Sequence, residues 1–267
     1  MPIIKAYLLP HSPLLIPEIG RANHIFLDKT ISAYNQVKED ITNAKIDTLI
    51  IFSPHINLGN ACFLINCAPE MLIDFQDFGF IPPKTLIKGD VPLADQIKNV
   101  LKESAPIQVL SEATLDYGSG VPLYLLKSQG PLPKILVISS AEELELSSHF
   151  ELGQKLSSVL ENSEKRIAII SSGDLSHRLK RKSPGGYSPK GPKFDNKLIE
   201  YLSDSSSAIQ NILKLDKKLI LDASECGLKP IVMSLGIINN RPWHADILAY
   251  QTDFGVGYLS LEFCLND

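Results

Sequence analysis

The sequence contains few cysteines and has no excess of one charge. Its 267 residues include four cysteines, and none of them forms a C-x-x-C pair. A chain of this length can build a core without cross-links, so scattered cysteines indicate a reducing, cytoplasmic compartment. The 26 basic and 30 acidic residues give a net charge of −4, which argues against a nucleic-acid partner.

Long apolar runs are also missing. No run approaches the roughly 18 residues that a membrane-spanning helix needs. The apolar segment 1–20 is interrupted by Pro10, Pro13 and Pro17 and has no small-residue cleavage site. We therefore expect no signal peptide and no membrane association.

Several common catalytic motifs do not occur. The sequence has no H-E-x-x-H, no G-x-S-x-G, no P-loop and no G-x-G-x-x-G. Zinc proteases of the first type, α/β-hydrolases and the common nucleotide-binding folds are therefore not indicated. Any active site has to be built from other residues.

What the sequence does contain is an alternation of short apolar runs and helical patterns. Runs rich in Ile, Leu and Val predict buried strands at 2–9, 46–53, 134–140 and 165–172. Apolar spacing near 3.6 residues predicts helices within 21–44, 91–103 and 143–161. This alternation predicts an α/β fold, a single-domain α/β/α sandwich over residues 1–267 with a mixed central sheet.

Other segments are less regular. Segments 61–67 and 83–88 are either extra strands or a hairpin. Segment 192–238 is mostly helical, with breaks at Ser203–Ser207 and at Lys214–Asp216, and two closing strands follow at 243–253 and 257–263.

Three histidines follow predicted strands. His11 and His55 come directly after a Pro at the end of such a run, and His177 follows the run at 165–172. Because parallel strands end at the same edge of a sheet, we expect these imidazoles to converge there. Imidazole binds Fe(II), Zn(II) and Cu(II). The remaining histidines fall on helical or strand patterns and are expected to be structural or solvent-facing: His24, His149 and His244.

A catalytic metal usually takes a further protein ligand, and carboxylates are the expected type. Candidates are Glu18, Asp174 and Glu225. Glu225 stands at a predicted helix start, where a glutamate can instead complement the helix dipole. The loop 180–192, with three Pro and three Gly, is either a lid or a plain surface connection.

Seven motifs occur in one order along the chain. They are PHSPLLIPEIG at 10–20, SPH at 53–55, LDYGSGVPLYLL at 115–126, SGDLSHRL at 172–179, GYSPKGPKFD at 186–195, SECGLKP at 224–230 and FGVGY at 254–258. By these motifs the chain resembles the class III extradiol ring-cleavage dioxygenases of the LigB superfamily. It resembles in particular the extradiol-like and Memo-like domains of the AmmeMemoRadiSam group. The resemblance implies a LigB-like fold.

The resemblance also implies a metal site. It assigns a non-haem Fe(II) to a facial triad of His11, His55 and Glu225, with Zn, Mn or Cu as other metals, and makes His177 the acid–base group. Cys226 stands beside Glu225, and Memo-like relatives use a cysteine at their metal site, so a softer metal stays an alternative to Fe(II).

Further residues are assigned around this site. Tyr117 stands where the family commonly has the histidine of L-D-H-G. It is expected at the catalytic site, and the replacement implies a different substrate, a slower enzyme or the loss of oxygenase activity. Asp174 and Ser176 are expected to hold the His177 loop. Pro13 and Tyr187 are expected to support the ligands or to bind substrate.

Three functions follow. The first is an extradiol-type dioxygenase that opens a catechol-like aromatic diol with O2. The second is a metal-binding, Memo-like accessory or interaction module without ring cleavage. The third is metal-assisted hydrolysis. The resemblance further implies a homodimer, with or without an accessory protein.

Overall fold

A computed structural model describes residues 2–56, 61–84, 86–127 and 132–266. The strands are β1 (Ile3–Leu9), β2 (Thr48–Ser53), β3 (Phe63–Asn66), β4 (Glu70–Ile73), β5 (Leu86–Lys88), β6 (Ile107–Leu110), β7 (Thr114–Leu115), β8 (Lys134–Ser139), β9 (Ile167–Ser172), β10 (Trp243–Gln251) and β11 (Tyr258–Leu265). The α-helices are α1 (Pro17–Gly20), α2 (Asp28–Asn43), α3 (Val91–Leu101), α4 (Tyr117–Leu126), α5 (Leu146–Leu160), α6 (Lys190–Ser203), α7 (Ala208–Leu213), α8 (Lys217–Ala223) and α9 (Leu228–Ile238).

The main sheet has eight strands in the order β10-β11-β1-β9-β2-β8-β3-β6. The central strands β1, β9, β2 and β8 are parallel to their neighbours within this group. β11 pairs antiparallel with β1, and β3 pairs antiparallel with β8. The predicted mixed central sheet is therefore confirmed.

Helices cover both faces of this sheet because its central strands are apolar on both sides. All six residues of β2 are buried. Leu49 and Ile51 pack in one apolar cluster with α2 and α4. Ile50 and Phe52 pack in the other cluster with α3, α5, α6 and α9. This arrangement confirms the predicted α/β/α layers.

A second, three-stranded sheet has the order β5-β4-β7. Segments 61–67 and 83–88 are predicted to be either extra strands or a hairpin. Each contains a strand, and the two strands lie in different sheets, so the segments are extra strands. β3 lies in the main sheet, whereas β5 pairs antiparallel with β4, with Lys88 opposite Glu70. Residue 85 lies outside the described residues.

One detail differs from the predicted elements, and another agrees with them. The helix predicted within 21–44 begins at Asp28, and Arg21–Leu27 form a 3-10 helix before it. The helical segment 192–238 breaks where expected, since α6 ends at Ser203 and α7 ends at Leu213. Across the described ranges, no helix has both the length and the apolar character to cross a membrane.

The parallel strands β1, β9, β2 and β8 end at one edge of the sheet. This topology brings the segments that follow them, each carrying polar side chains, to the same place. The candidate site lies at this edge.

Candidate metal centre

Three side chains at the carboxyl edge of the sheet bring metal-binding atoms together. His11 follows β1, His55 follows β2, and Cys226 lies between α8 and α9. Their ligand atoms all lie within 4.8 Å of one another. The two Nε2 atoms are 3.0 Å apart, and His11 Nε2 is 3.4 Å from Cys226 Sγ. Within the described parts of the chain, this is the one group of His, Cys, Asp and Glu side chains that could hold a metal ion.

His11 is buried, and both its backbone and its ring have hydrogen-bond partners. Its backbone N–H donates to Asp174 Oδ1 at 3.1 Å, and its ring Nδ1 lies 2.9 Å from Ser172 Oγ. Burial holds the pKa of His11 well below its usual range, because desolvation disfavours the imidazolium. The ring is therefore neutral, which is the form that binds metals.

His55 lies under an aromatic ring. Burial lowers its pKa to about 4. The Tyr117 ring stacks on it with centroids 4.2 Å apart at 24°, and meets His11 edge to face at 5.5 Å. Burial raises the pKa of Tyr117, so its phenol can donate a hydrogen bond but cannot act as a base near pH 7. The position of Tyr117 in α4 places it directly over the two histidines.

Cys226 is held by backbone atoms of Asp174. The N–H of Asp174 donates to Cys226 Sγ at 3.3 Å, and the N–H of Cys226 donates to Asp174 O at 3.2 Å. Burial raises the pKa of the Cys226 thiol well above its usual range. A nearby cation is needed to convert this thiol into a thiolate ligand.

Glu225, the predicted carboxylate ligand, stands next to this group but outside the three clustered residues. Its Oε2 accepts a hydrogen bond at 2.7 Å from the backbone N–H of Leu228, which is the first residue of α9. Burial raises its pKa to about 7. This is the helix-start role that the sequence left open, and its role as a ligand stays a prediction.

His177 and Asp174 form a second pair beside the cluster. His177 Nδ1 lies 2.7 Å from Ser224 O, and since a carbonyl only accepts, Nδ1 carries the proton. His177 Nε2 lies 3.9 Å from Asp174 Oδ2. Burial lowers the pKa of His177 and raises that of Asp174 to about 7. Nε2 of the neutral ring therefore has a lone pair that can take a proton.

Hydrogen bonds to buried residues hold the segment that carries His177. Ser176 Oγ donates to Ala223 O at 2.8 Å, and its N–H donates to Asp195 Oδ1 at 2.9 Å. Tyr250 donates to Asp195 Oδ2 at 2.7 Å. These contacts link Ser176 and the buried Asp195 to the His177 segment, and the role of Ser176 in holding the loop stays a prediction.

Pro13 and Tyr187 are not among the clustered residues His11, His55 and Cys226. Pro13 begins a 3-10 turn, Pro13–Leu15, shortly after His11. Tyr187 is 52% exposed on the loop 180–192. In that loop the N–H of Gly185 donates to the carbonyl of His177 at 3.1 Å. This bond favours a connection that supports His177 over a free lid, and the roles of Pro13 and Tyr187 stay predictions.

A cavity of about 630 Å³ opens beside the cluster. His55, Cys226 and Glu225 are among the residues that line it. Its other lining residues include apolar, polar and charged side chains: Pro54, Ile56, Ser140, Glu142, Ile220, Leu221, Ser224 and Lys229. This volume is within the range of small-molecule sites.

Residues 5–260 match the model of the family described as the catalytic LigB subunit of aromatic ring-opening dioxygenase. The chain belongs to the LigB family. The match spans most of the chain, so this membership accounts for the fold and places the protein in the ring-cleavage dioxygenase superfamily. Its dioxygenases are usually metal-dependent.

Individual relatives agree with this family but differ in what they show. Protein CA_C1420 of Clostridium acetobutylicum is 30% identical over 98% of this chain and 58% of its own length. The chain thus spans little more than half of that relative. A 3,4-dihydroxyphenylacetate 2,3-dioxygenase of Escherichia coli is 22% identical over 72% of this chain and 73% of its own length.

A solved structure supports the fold. The uncharacterized protein JW3007 from Escherichia coli K12 superposes with a TM-score of 0.70 at 18% identity, covering 97% of this chain and 99% of that one. At this identity the likeness concerns the fold alone.

For this LigB-family chain, sequence reasoning missed the polar residues that hold the histidines. Ser172 contacts His11, and Ser53 Oγ accepts from the N–H of His55 at 3.3 Å. Ser53 Oγ in turn donates to Asp116 Oδ1 at 2.6 Å. The available signal was a serine closing each of two buried apolar strands, β2 and β9.

Proposed function

We propose that this protein is a metal-dependent oxygenase of the extradiol type, acting on a small catechol-like diol with O2. The observation that carries the proposal is the convergence of His11, His55 and Cys226 within 4.8 Å beside a cavity large enough for a substituted ring. Family membership over residues 5–260 supports the reaction class. The name of the E. coli relative supports an aromatic diol as substrate.

The donor set fits a metal ion. Two imidazoles and a thiolate suit Zn, Cu or Fe, and a carboxylate in place of the thiolate favours Fe(II). His11 and His55 would hold the ion in either case. The clustered position of Cys226 favours it as the third ligand, and Glu225 would serve if its bond to Leu228 opens.

When bound, the metal supplies a Lewis acid and the redox capacity that O2 chemistry needs. Residues of the chain would bind the substrate and transfer its protons. Apolar side chains such as Ile56 and Ile220 line the cavity and would contact the substrate ring. Tyr117 stays protonated and would donate a hydrogen bond to a substrate oxygen. His177 Nε2 would take a proton from a diol hydroxyl and return it to the product.

Oxygen uptake tests this function. Anaerobically purified protein is loaded with Fe(II) and offered a panel of catechols, with His177→Ala as the matched control. We expect uptake and a ring-opened product from the wild type, and metal retention without turnover from His177→Ala. A metal-loaded wild type that consumes no O2 with any catechol contradicts the proposal.

The third ligand has its own test. Co(II) bound by a thiolate gives intense near-ultraviolet charge-transfer absorption that carboxylate ligation does not give. We expect this absorption in the wild type and in Glu225→Gln, and its loss in Cys226→Ser. If only Glu225→Gln loses the metal, the triad of His11, His55 and Glu225 holds instead.

A second candidate is a metal-binding, Memo-like accessory module without ring cleavage. Two observations favour it: Cys226 lies in the cluster, and Tyr117 replaces a histidine of the family pattern. Stable metal binding without O2 uptake, together with a protein complex that persists in His177→Ala, would support this candidate.

A further inference from the structure

Ser172, the last residue of β9, lies behind His11 on the side away from the cavity. The serine is fully buried. Its Oγ contacts two partners, the ring Nδ1 of His11 at 2.9 Å and the carbonyl oxygen of Gly118. One hydroxyl group thus joins a candidate metal ligand to the first turn of α4.

The protons in this contact can be assigned from chemistry alone. A carbonyl oxygen only accepts, so the single proton of Ser172 goes to Gly118 O. Oγ must then accept from His11, which places a proton on His11 Nδ1. In the neutral ring Nε2 is left with its lone pair, and this atom faces His55 Nε2 at 3.0 Å and Cys226 Sγ at 3.4 Å.

We propose that Ser172 is a positioning residue that fixes His11 in the Nδ1–H tautomer and so presents its Nε2 to the metal. The inference rests on the proposed metal site and adds how that site is prepared before the metal arrives. The same assignment makes His55 Nε2 the donor in its contact with His11. Metal binding at both Nε2 atoms therefore requires the proton of His55 to move from Nε2 to Nδ1, and the neutral ring keeps its single proton.

The carbonyl that orients Ser172 is itself held in place. A Cβ added at Gly118 would lie 2.6 Å from Ser53 Oγ and 3.0 Å from Cδ2 of His55, so only glycine permits this approach. Asp116 accepts from Ser53 Oγ at 2.6 Å and from the N–H of Ser119 at 3.1 Å. The start of α4 thus supports His11 through Ser172 and His55 through Ser53.

Ser171 provides a matched control for the test. It is the neighbouring serine of the same strand and equally buried, but its Oγ faces the other side of the sheet and contacts Pro230 O at 3.1 Å and Ser234 Oγ at 2.6 Å. Removing either hydroxyl leaves buried polar groups without a partner, so the general cost to stability is of the same kind. Only Ser172 touches a candidate ligand.

The tautomer is measured in the metal-free protein by long-range 1H–15N NMR of labelled histidines. We expect His11 protonated at Nδ1 and His55 at Nε2 in the wild type and in Ser171→Ala. Ser172→Ala should show a mixture of His11 tautomers, and Ser172→Thr, which keeps the hydroxyl, should restore one. A wild-type tautomer in Ser172→Ala overturns the proposal.

Zinc affinity is then measured by competition with a chromophoric chelator. We expect about a 10- to 100-fold loss in Ser172→Ala and an unchanged affinity in Ser171→Ala. Equal losses in the two variants would show a packing effect and overturn the positioning role. A wild type that binds no zinc contradicts the proposed function, whereas the tautomer, read without metal, still decides what Ser172 does.

Discussion

His149 shows how the surroundings of a single residue separate a structural histidine from one available for chemistry. Its Nδ1 donates to Glu145 O at 2.8 Å, and its Nε2 accepts from the N–H of Ala141 at 3.2 Å. Both ring nitrogens are thus engaged by backbone. His177 instead keeps its Nε2 3.9 Å from Asp174, and a quarter of its side chain is exposed. This setting is compatible with the acid–base role proposed for His177.

The buried His149 predicts an acid-dependent loss of stability. Burial lowers its pKa to about 4, whereas in the unfolded chain it is near 6.5. The unfolded state therefore binds more protons below pH 6.5, and the free energy of unfolding falls as the pH drops from about 6.5 to 4. The full loss from this residue is about 3 kcal/mol.

Urea unfolding at several pH values tests this, with His149→Leu as the comparison. The variant should lose part of the pH slope because one such histidine has gone, while the others remain. Identical slopes for the two proteins would exclude His149 as a source of the acid dependence.

Tyr117 gives a second prediction at this scale. Replacing it by His restores the residue common in the family and places an imidazole, which can exchange protons, above the cluster. We expect Tyr117→His to raise catechol cleavage by up to about 100-fold, the lower end of acid–base effects. Tyr117→Phe, which keeps the stacking on His55 but has no hydroxyl, is the control. A lower rate in Tyr117→His would mean that the phenol serves the native reaction.

At the scale of elements, helices α5 and α9 pack against each other, and their backbones come into contact at Gly153 and Gly236. A Cβ at Gly153 would lie 2.2 Å from Met233 O, and one at Gly236 would lie 2.3 Å from Phe150 O. The backbones touch there, so no side chain fits between them. The helix pair in turn fixes the start of α9, next to Glu225 and Cys226.

Gly153→Ala should therefore force the two helices apart. We expect a loss of about 1–3 kcal/mol in unfolding free energy, typical of overpacking, together with weaker zinc binding because α9 shifts. Glu151→Ala, at an exposed position of the same helix, should change neither quantity. Chemical denaturation and chelator competition measure the two effects, and a fully stable Gly153→Ala would contradict the close packing.

The comparison of elements also shows what the sequence could predict. The central strands β1, β2, β8 and β9 are continuous apolar runs, and the sequence predicts all of them. It does not predict β4, β6 and β7, because they have two to four residues and are partly exposed. Nor does it predict α4, whose glycines and internal Pro122 disfavour a helix. That helix forms because Asp116 caps its start and its apolar side chains are buried.

The same limit applies to the site. Strand ends predict that His11 and His55 meet, and the structure brings their Nε2 atoms to 3.0 Å. The sequence cannot choose between neighbouring residues such as Glu225 and Cys226. Glu225 accepts a hydrogen bond from α9, whereas Cys226 lies in the metal-binding cluster. The hydrogen bond of Glu225 depends on tertiary packing, which the sequence does not show.

For the molecule as a whole, a bound metal should act as an internal clamp between segments far apart in the chain. A ligand that binds only the folded state, at 100 times its Kd, adds about 2.7 kcal/mol. For a chain of this size we expect Tm to rise by about 5–10 °C with zinc. His55→Ala should show no such rise, and a wild-type Tm that is insensitive to both zinc and chelator would contradict metal binding by the folded protein.

The single domain predicted over residues 1–267 belongs to this scale too. We expect one cooperative calorimetric transition in the metal-free protein, with equal calorimetric and van't Hoff enthalpies. Two separate transitions would show that the sheet β5-β4-β7 or another part folds independently.

The wide separation of the clustered residues also bears on how the protein is made in the cell. His11 and Cys226 stand 215 positions apart, and β1 pairs with β9, which is synthesised much later. During synthesis, both histidines leave the ribosome long before the thiol does. Pairing of this range forms late, so a nascent chain has no complete metal-binding group. If the protein binds a metal as proposed, the complete site forms only after Cys226 has emerged, and metal-starved cells should accumulate folded apoprotein that takes up metal later without new translation.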